Sequence, residues 1–270
     1  MGSTGATRSG VRANGVASAE GGRSAVAFCA HWLDLLTEVL VPRACLACDA
    51  LMGSAERGLV CRACTARIVE IPAPRCDRCG HPRLRPVCAW CALLPPYVRA
   101  ARSVAWVPEG VAGALVHRLK YDGWTALAEL LGARMARLQF PLDVREERSV
   151  LVPVPLAPVR QRERGYNQST LLARAIAPRW GIPVRELLSR TRATESQTRL
   201  TPGGRRNNVA GAFSVASLPA ELVGRHVVLV DDVVTTAATL NACAAALHAG
   251  GARIITYVTF GRARAAGDVP

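Results

Sequence analysis

Apolar and polar positions follow two different spacings along the second half of the chain, and the alternation between them predicts strands joined by helices. Short runs rich in Val and Ile are typical of buried strands, whereas apolar residues three or four positions apart are typical of helices. The expected strands are Ala101–Val107, Ser149–Pro153, Val227–Val230 and Arg253–Phe260, and the expected helices are Val111–Leu119, Trp124–Leu138, Ser169–Ala177 and Leu240–Ala249. This order predicts an α/β fold with a parallel sheet and helices on both faces.

The run Val227–Leu240 combines a strand, two acids, a threonine-rich turn and a helix. Ligands of parallel sheets lie beyond the carboxyl ends of the strands. Loop amides and the threonine hydroxyls can hold a phosphate against the positive end of the helix dipole. Asp231 and Asp232 can accept hydrogen bonds from sugar hydroxyls, directly or through a divalent cation. The alternative is an ordinary turn in which these Asp and Thr residues only cap the helix.

This run resembles the 5-phosphoribosyl pyrophosphate (PRPP) motif of type I phosphoribosyltransferases. The resemblance implies that Asp231 and Asp232 are the catalytic acids that hold the ribose hydroxyls, with Mg²⁺ accompanying PRPP. It also implies a phosphate-binding segment formed by Val233, Val234, Thr235, Thr236, Ala237, Ala238 and Thr239. That family usually has Gly where this chain has Ala237, and a methyl group there restricts backbone approach to the phosphate or disfavours a positive φ.

Eight of the ten cysteines form four C-x-x-C pairs, a spacing that lets both thiolates of a pair reach one tetrahedral Zn²⁺. Their segment is rich in Pro and Arg and poor in large apolar residues, so metal binding would supply its folding free energy. Disulfides are the alternative, but nothing in the chain indicates export. The simplest arrangement is sequential, with one structural zinc on Cys45, Cys48, Cys61 and Cys64 and a second on Cys76, Cys79, Cys88 and Cys91. An interleaved pairing stays open, and Cys29 and Cys243 are expected to be buried thiols.

Three further segments point to a particular family: HRLKYDG at His117–Gly123, the PVP…RGYNQ segment within Val152–Gln168, and the Arg-rich segment Arg190–Asn208. Together with the cysteine pairs and the PRPP-type motif, they resemble the ComF family of competence-associated proteins over residues Leu33–Gly261. The resemblance implies a double zinc ribbon at residues 45–94, a phosphoribosyltransferase-like domain at residues 95–265, and a role in DNA uptake.

The resemblance also suggests further ligands for the phosphates. In the related transferases, the loop after the earlier strand binds pyrophosphate and a mobile flap covers the site. Here Val154–Ala157, with Pro155, would form that loop, and Arg190–Asn208 would form the flap. The basic candidates for phosphate binding are Lys120, Arg160, Arg164, Arg192 and Arg205, and Gln197 and Asn208 are polar candidates on the flap. For the arginines and the flap residues, an exposed solubilising role is the alternative.

We predict no separate folded domain in the N-terminal region. Residues 1–24 are dominated by Gly, Ser, Ala and Arg and are expected to be disordered. Residues 25–44 are apolar with His31, Asp34 and Glu38 at helical spacing, which predicts an amphipathic helix. Because charge interrupts this run, we expect neither a membrane span nor a signal peptide, and we expect a cytoplasmic protein.

Positive charge is concentrated in one segment. The chain has a net charge of +14, and residues 157–206 contain eleven Arg, three Glu and no Lys. The guanidinium group suits phosphate, which would belong to pyrophosphate in a transferase or to the backbone in a nucleic-acid binder. A GC-rich genome, which favours Arg over Lys, is the remaining explanation.

Three functions are consistent with these features. In the first, the protein binds PRPP or a related phosphorylated ribose and assists single-stranded DNA during uptake, with a competence helicase or recombination proteins as partners. The aromatic residues Trp106, Tyr121, Trp124 and Tyr166 would then stack on bases, unless they pack in the core. In the second, the protein is an active phosphoribosyltransferase whose acceptor is unassigned. In the third, it is a non-catalytic sensor of PRPP.

Overall fold

The computed structural model describes residues 42–53, 55–82, 88–108, 110–191 and 211–264. The predicted disordered tail, nearly all of the predicted N-terminal helix, Cys29, and the flap residues Arg192, Gln197, Arg205 and Asn208 lie outside the described residues. Residues 42–44, the last three of that predicted helix, are not helical, and Ala44 instead forms an antiparallel bridge with Leu51. The chain divides into two compact units, residues 1–44 with 51–57, and residues 45–50 with 58–270.

Four parallel strands form the main sheet of the described chain, in the order β1-β6-β5-β2. The bounds are β1 Val98–Val107, β2 Arg148–Pro153, β5 His226–Val234 and β6 Ile254–Ala263. A separate antiparallel pair joins β3, Leu188–Arg190, to β4, Phe213–Val215. The predicted parallel α/β sheet is confirmed. The apolar run of β5 is buried on both faces because β5 is an interior strand of a sheet covered by helices.

Seven α-helices lie in the described chain: α1 Arg62–Ala66, α2 Gly110–Tyr121, α3 Leu127–Ala136, α4 Leu142–Glu147, α5 Pro158–Arg164, α6 Gln168–Trp180 and α7 Ala238–Ala249. Short 3-10 helices span Ala89–Leu93 and Ala220–Leu222. The four helices predicted from the apolar spacing are α2, α3, α6 and α7. The short helices α1, α4 and α5 were missed because fewer than two full turns give no clear apolar period.

The sheet is covered on both faces, as the sequence predicted. Val228 and Val230 face one hydrophobic cluster together with buried residues of α2, α3 and α6. Val227 and Leu229 face the other, to which α7 contributes Cys243 and neighbouring apolar residues. Alternate residues of one strand thus enter different cores, because successive side chains of a strand point to opposite faces.

The second cysteine-rich segment packs directly on the sheet. Cys79 and Trp90 belong to the same hydrophobic cluster as Val227 and α7. Arginine side chains hold this contact by donating to backbone carbonyls: Arg78 to Pro95 at 2.8 Å, Arg102 to Asp77 at 2.9 Å, and Arg262 to Cys79 at 2.6 Å. Such charge-assisted bonds are stronger than hydrogen bonds between neutral groups.

One element differs from its prediction in a way that affects the site. We expected Asp231 and Asp232 to end the central strand, but β5 continues through both acids to Val234. Asp231 pairs in register with Thr259 and Val234 with Arg262, both on β6. The prediction was wrong because a neighbouring strand can satisfy the backbone of polar residues, and this is not visible in a local pattern.

Within the described residues, no helix combines the length and the apolar character needed to cross a bilayer.

Candidate functional site

The two acids lie beside the end of the neighbouring strand β2. Pro153, the last residue of β2, pairs with Val230, and the chain then leaves the sheet. The acids therefore lie next to the loop that begins at Val154, whose amide still donates to the carbonyl of Val230 at 3.0 Å. A cavity of about 370 Å³ opens here at the carboxyl ends of the strands. Its position agrees with the general location of ligand sites in open α/β sheets.

The threonine-rich turn is short, and its last residue has a strained backbone. Residues 235–237 connect β5 to α7, and Ala237 occupies the N-cap position with φ 58° and ψ 5°. This left-handed conformation is the one that favours Gly, so Ala carries a steric penalty of about 1 kcal/mol. The N-cap is Ala237, which makes no side-chain capping hydrogen bond, so none of the Asp and Thr residues of this run is the N-cap of α7.

Lys120 reaches the acid pair from α2. Its ammonium lies 2.6 Å from Oδ1 of Asp232, and both side chains are largely buried. The other carboxylate oxygen, Oδ2 of Asp232, is buried without a hydrogen-bond partner among the described residues. The predicted helix ends at Leu119, but α2 continues through Lys120 and Tyr121, which belong to its last turn. Helical spacing then separates them: Lys120 lines the cavity and Tyr121 is 63% exposed.

Asp231 is held by α6. The hydroxyl of Ser169 donates to its Oδ1 at 2.9 Å, and the backbone amide of Asp232 donates to the same oxygen at 2.9 Å. Asn167 begins α6 as an N-cap whose side chain accepts a bond from the amide of Ser169. This capping fixes Ser169 in the first turn, where its hydroxyl reaches the strand.

The charges of the site are coupled. Burial and the adjacent Asp232 carboxylate raise the pKa of Asp231 to about 7, although Lys120 and Ser169 act in the opposite direction. Burial alone would lower the pKa of Lys120, but the carboxylate of Asp232 raises it, so Lys120 is an ammonium. Lys120 therefore neutralises one of the two acids before any ligand arrives.

The structure brings most of the predicted site residues to one cavity. Its wall includes Lys120, Pro155, Asp231, Asp232, Val233, Val234, Thr235, Thr236, Ala237, Ala238 and Thr239. Gln168, Ser169 and Arg190 also line the cavity and were not among the predicted ligands. The Asn-Gln-Ser sequence before the apolar run of α6 was the available signal for Ser169, because an N-cap places the next residues at a helix N-terminus.

Other predicted residues do not reach this cavity. Arg160 and Arg164 lie on α5 and line a second cavity, which Lys120 also borders. Trp106 is buried and packs in the core, whereas Trp124 is 41% exposed and Tyr166 is half-buried.

The eight paired cysteines form two separate groups of four. Cys45, Cys48, Cys61 and Cys64 make one group, and Cys76, Cys79, Cys88 and Cys91 make the other, with the four sulfurs of each group within 4.8 Å of one another. The sequential arrangement is therefore the one that forms, and none of these cysteines is in a disulfide. Cys243 is buried on α7, as expected for a thiol that is not a ligand.

Both groups fit a tetrahedral zinc ion. Four sulfurs about 2.3 Å from zinc are about 3.8 Å from one another. The observed separations include 4.0 Å between Cys48 and Cys61 and 3.4 Å between Cys76 and Cys91. Backbone amides also donate to the sulfurs, as from Cys61 to Cys45 Sγ at 3.3 Å, which stabilises a thiolate.

Comparison with known proteins agrees with this architecture. The family model "Double zinc ribbon domain" matches residues 36–97, and the model "Phosphoribosyl transferase domain" matches residues 166–269. "DNA utilization protein YhgH" of Salmonella typhimurium is 33% identical over 226 residues, which are 80% of this chain and 95% of the relative. "Competence protein F" of Haemophilus influenzae is 32% identical over 73% of this chain and 87% of that protein. "Competence protein ComFC" of Bacillus subtilis is 28% identical over 70% of this chain and 77% of that protein.

The chain belongs to the ComF family. Both halves of the ComF architecture are present, since the two Cys₄ groups fall within the zinc-ribbon match and the sheet strands β5 and β6 within the transferase match. The zinc in this ComF protein is structural, because each group supplies four protein sulfurs and leaves no open coordination position. The predicted family and fold are thus confirmed.

We expect the two zinc sites to differ in how much they support the fold. Native mass spectrometry should count two Zn²⁺ per chain, and one after either Cys48→Ser or Cys79→Ser. Cys79 is buried in the core beside the sheet whereas Cys48 is exposed, so Cys79→Ser should lower the melting temperature more. Cys243→Ser is the matched control and should keep two Zn²⁺. An equal loss of metal in the Cys243 variant would contradict the assignment of ligands.

We expect Lys120→Met to lower the free energy of unfolding by about 3 kcal/mol, because it leaves the carboxylate of Asp232 buried without its cation. Adding Asp232→Asn should restore most of the loss, since no buried charge then remains. Arg118→Met is the control on the same helix: its ion pairs with Asp49 and Asp122 are more exposed and should contribute less than about 1 kcal/mol. Urea unfolding measures all three. Equal effects of the Lys120 and Arg118 substitutions would rule out a special role for the buried pair.

Proposed function

We propose that this protein binds a phosphorylated ribose, PRPP or a close relative, in the cavity at the end of β5, and that it handles single-stranded DNA during DNA uptake. The observation that carries the first part is the buried Oδ2 of Asp232, which has no hydrogen-bond partner among the described residues. A buried carboxylate oxygen without a donor is costly, and a ribose hydroxyl is a donor of the right kind. Asp231 lies beside it, so two neighbouring hydroxyls of one sugar can be bound together.

The phosphate end of the ligand fits the turn that follows the acids. α7 is 12 residues long, and its N-cap residue, Ala237, makes no side-chain capping hydrogen bond. Its first amides and the positive end of its dipole therefore favour an anion. Thr235 is exposed and Thr236 half-buried at the rim, and their hydroxyls are further donors. Only two residues, Val233 and Val234, separate the acids from this turn in the sequence. The acids and the turn are therefore close enough for one sugar phosphate to contact both.

The ion pair between Lys120 and Asp232 affects where Mg²⁺ would bind. Oδ1 of Asp232 already carries the ammonium of Lys120 at 2.6 Å, which repels a second cation from that oxygen. We therefore assign Mg²⁺ to the diphosphate of the ligand, where it would be held mainly by phosphate oxygens and water, its preferred ligands.

The cellular role follows from the family. The relatives are named for DNA utilization and for competence, and the chain aligns with 95% of the Salmonella protein. A chain with a net charge of +14 favours an anionic partner such as a DNA strand. We propose that the domain binds phosphoribose as a ligand and that its basic surface binds the strand.

Two parallel assays distinguish binding of PRPP from its turnover. Isothermal titration calorimetry with PRPP and Mg²⁺ should show binding by the wild type. Asp231→Asn combined with Asp232→Asn should weaken it at least about tenfold, because hydrogen bonds to a charged acceptor are lost. A parallel assay of released pyrophosphate with candidate acceptors distinguishes a transferase from a binding protein.

Asp143→Asn is the control for this measurement. Asp143, on α4, is a partly exposed carboxylate that pairs with Arg99 of β1, and it does not line the cavity. Its substitution should leave the PRPP affinity unchanged. Wild-type protein that takes up no PRPP, or a double variant that binds as tightly as the wild type, would refute the proposed ligand site.

A further inference from the structure

A second cavity, of about 280 Å³, lies between the end of α2 and the helix α5. We call it the α2–α5 groove, and its wall consists of Lys120, Tyr121, Gly123, Arg160, Glu163, Arg164 and Tyr166. Three of these seven residues are cationic, two are aromatic and one is acidic. This composition differs from that of the first cavity, where the acids and threonines of the PRPP-type motif dominate.

One aromatic side chain of the groove, Tyr121, is exposed, and Trp124 is exposed nearby in the sequence. Among the Phe, Tyr and Trp residues that the structure describes, Tyr121 and Trp124 are the exposed ones, and they stand three positions apart. The guanidinium of Arg164 lies 5.3 Å from the centre of the Tyr121 ring, and the His117 ring lies 4.9 Å from it on the same helix. An exposed ring that is held in place by neighbours is a platform on which a base can stack.

The second aromatic residue of the groove, Tyr166, is half-buried, and a hydrogen bond from its hydroxyl holds the ring in place. Its hydroxyl donates to the backbone carbonyl of Leu119 at 2.5 Å, which ties the segment after α5 to the end of α2. Both tyrosines of the groove are thus attached to the end of α2. Such preorganisation lowers the entropy lost when a flexible ligand binds.

The cations of the groove can accept a phosphate. Among the residues that the structure describes, Arg160 pairs with Glu163, at 2.9 Å, and both side chains are more than half exposed. Exposed pairs of this kind are weak, so a phosphate can replace the carboxylate as the partner of the guanidinium. Arg164 contacts the side-chain oxygen of Gln168, which itself lines the first cavity. Lys120 borders both cavities, so a chain bound in the groove would pass beside the ribose-phosphate pocket.

We propose that the α2–α5 groove is a subsite for one nucleotide of single-stranded DNA, with the base stacked on Tyr121 and a phosphate held by Arg160. This proposal rests on the strand-handling part of the proposed function and gives it a location. A single strand is favoured over a duplex, because a base can stack on a tyrosine only when its own face is free.

The test measures binding of a short fluorescein-labelled oligothymidylate by fluorescence anisotropy to the full-length, zinc-loaded protein. Tyr121→Leu should weaken binding about tenfold through lost stacking, and Tyr121→Phe should restore it, because the ring is retained. On a matched strand in which the bases are replaced by abasic sites, Tyr121→Leu should bind as the wild type does. Calorimetry with PRPP should show the same affinity for Tyr121→Leu and wild type, because Tyr121 does not line the first cavity.

Arg160→Ala tests the phosphate contact. It should weaken strand binding and reduce the slope of log affinity against log salt concentration by about 0.7, the value for one phosphate of a single strand. Arg253→Ala is the matched control, because Arg253 is a similarly exposed arginine paired with a glutamate, Glu147, and precedes β6 at the opposite end of the sheet. It removes the same charge and should leave that slope unchanged.

The outcomes separate the groove from the wider function. If the wild type binds the strand and the Tyr121 and Arg160 variants bind it equally well, the proposed subsite in the groove is wrong, but strand handling by the protein still stands. No strand binding by the wild type would overturn both, while PRPP binding is judged by calorimetry alone. If thymidine monophosphate competes as effectively per molecule as the oligonucleotide, the groove serves a free nucleotide and the strand proposal is wrong.

Discussion

The candidate site depends on a difference in strand length. β5 stays in its hydrogen-bonded ladder with β6 for four residues after β2 has left the sheet at Pro153. The backbone around Asp231 and Asp232 is therefore fixed on one side by β6, while the other side is open to ligand. Rigid backbone beneath a binding site is what permits two carboxylates to be held in one orientation without a ligand present. Had β2 been longer, it would have covered the acids, and had β5 been shorter, they would have been on a mobile loop.

The negative charge of the two acids is partly neutralised before any ligand binds. Two adjacent carboxylates at the end of a buried strand repel each other, and the raised pKa of Asp231 reflects burial together with that repulsion. Lys120 offsets part of it by pairing with Asp232, while Ser169 and a backbone amide bond to Asp231. The arrangement leaves one buried oxygen for a donor from outside. A site of this kind is suited to a neutral hydroxyl group more than to a bare cation, since its own cation is already in place.

The zinc module is part of the same hydrophobic structure as the sheet. Cys79 and Trp90 share a core with β5 and α7, and Arg262 of β6 donates to the carbonyl of Cys79. Zinc thus stabilises more than a local loop, because the residues next to its ligands fill space against the strands that support the pocket. The arginines involved bind carbonyls rather than solvent, which shows that part of the positive charge of this chain serves the fold. Arg160 and Arg164 are different, since they lie at a cavity where an anion can reach them.

The sequence by itself determined the features that depend on neighbouring residues or on fixed spacing. The apolar runs and their periods identified the four main strands and four helices. The C-x-x-C pairs identified the metal ligands, because two thiolates separated by two residues can both reach one ion. The sequence also placed Asp231, Asp232 and the threonine turn in one short segment. Tertiary structure alone decided how the cysteine pairs combine, since four pairs are compatible with more than one arrangement. It also decided that Lys120 rather than Tyr121 reaches Asp232, that Ser169 bonds to Asp231, and that Arg160 and Arg164 line a different cavity. Each of these depends on contacts between segments far apart in the chain, whose distances are set by packing and leave no trace in a local pattern.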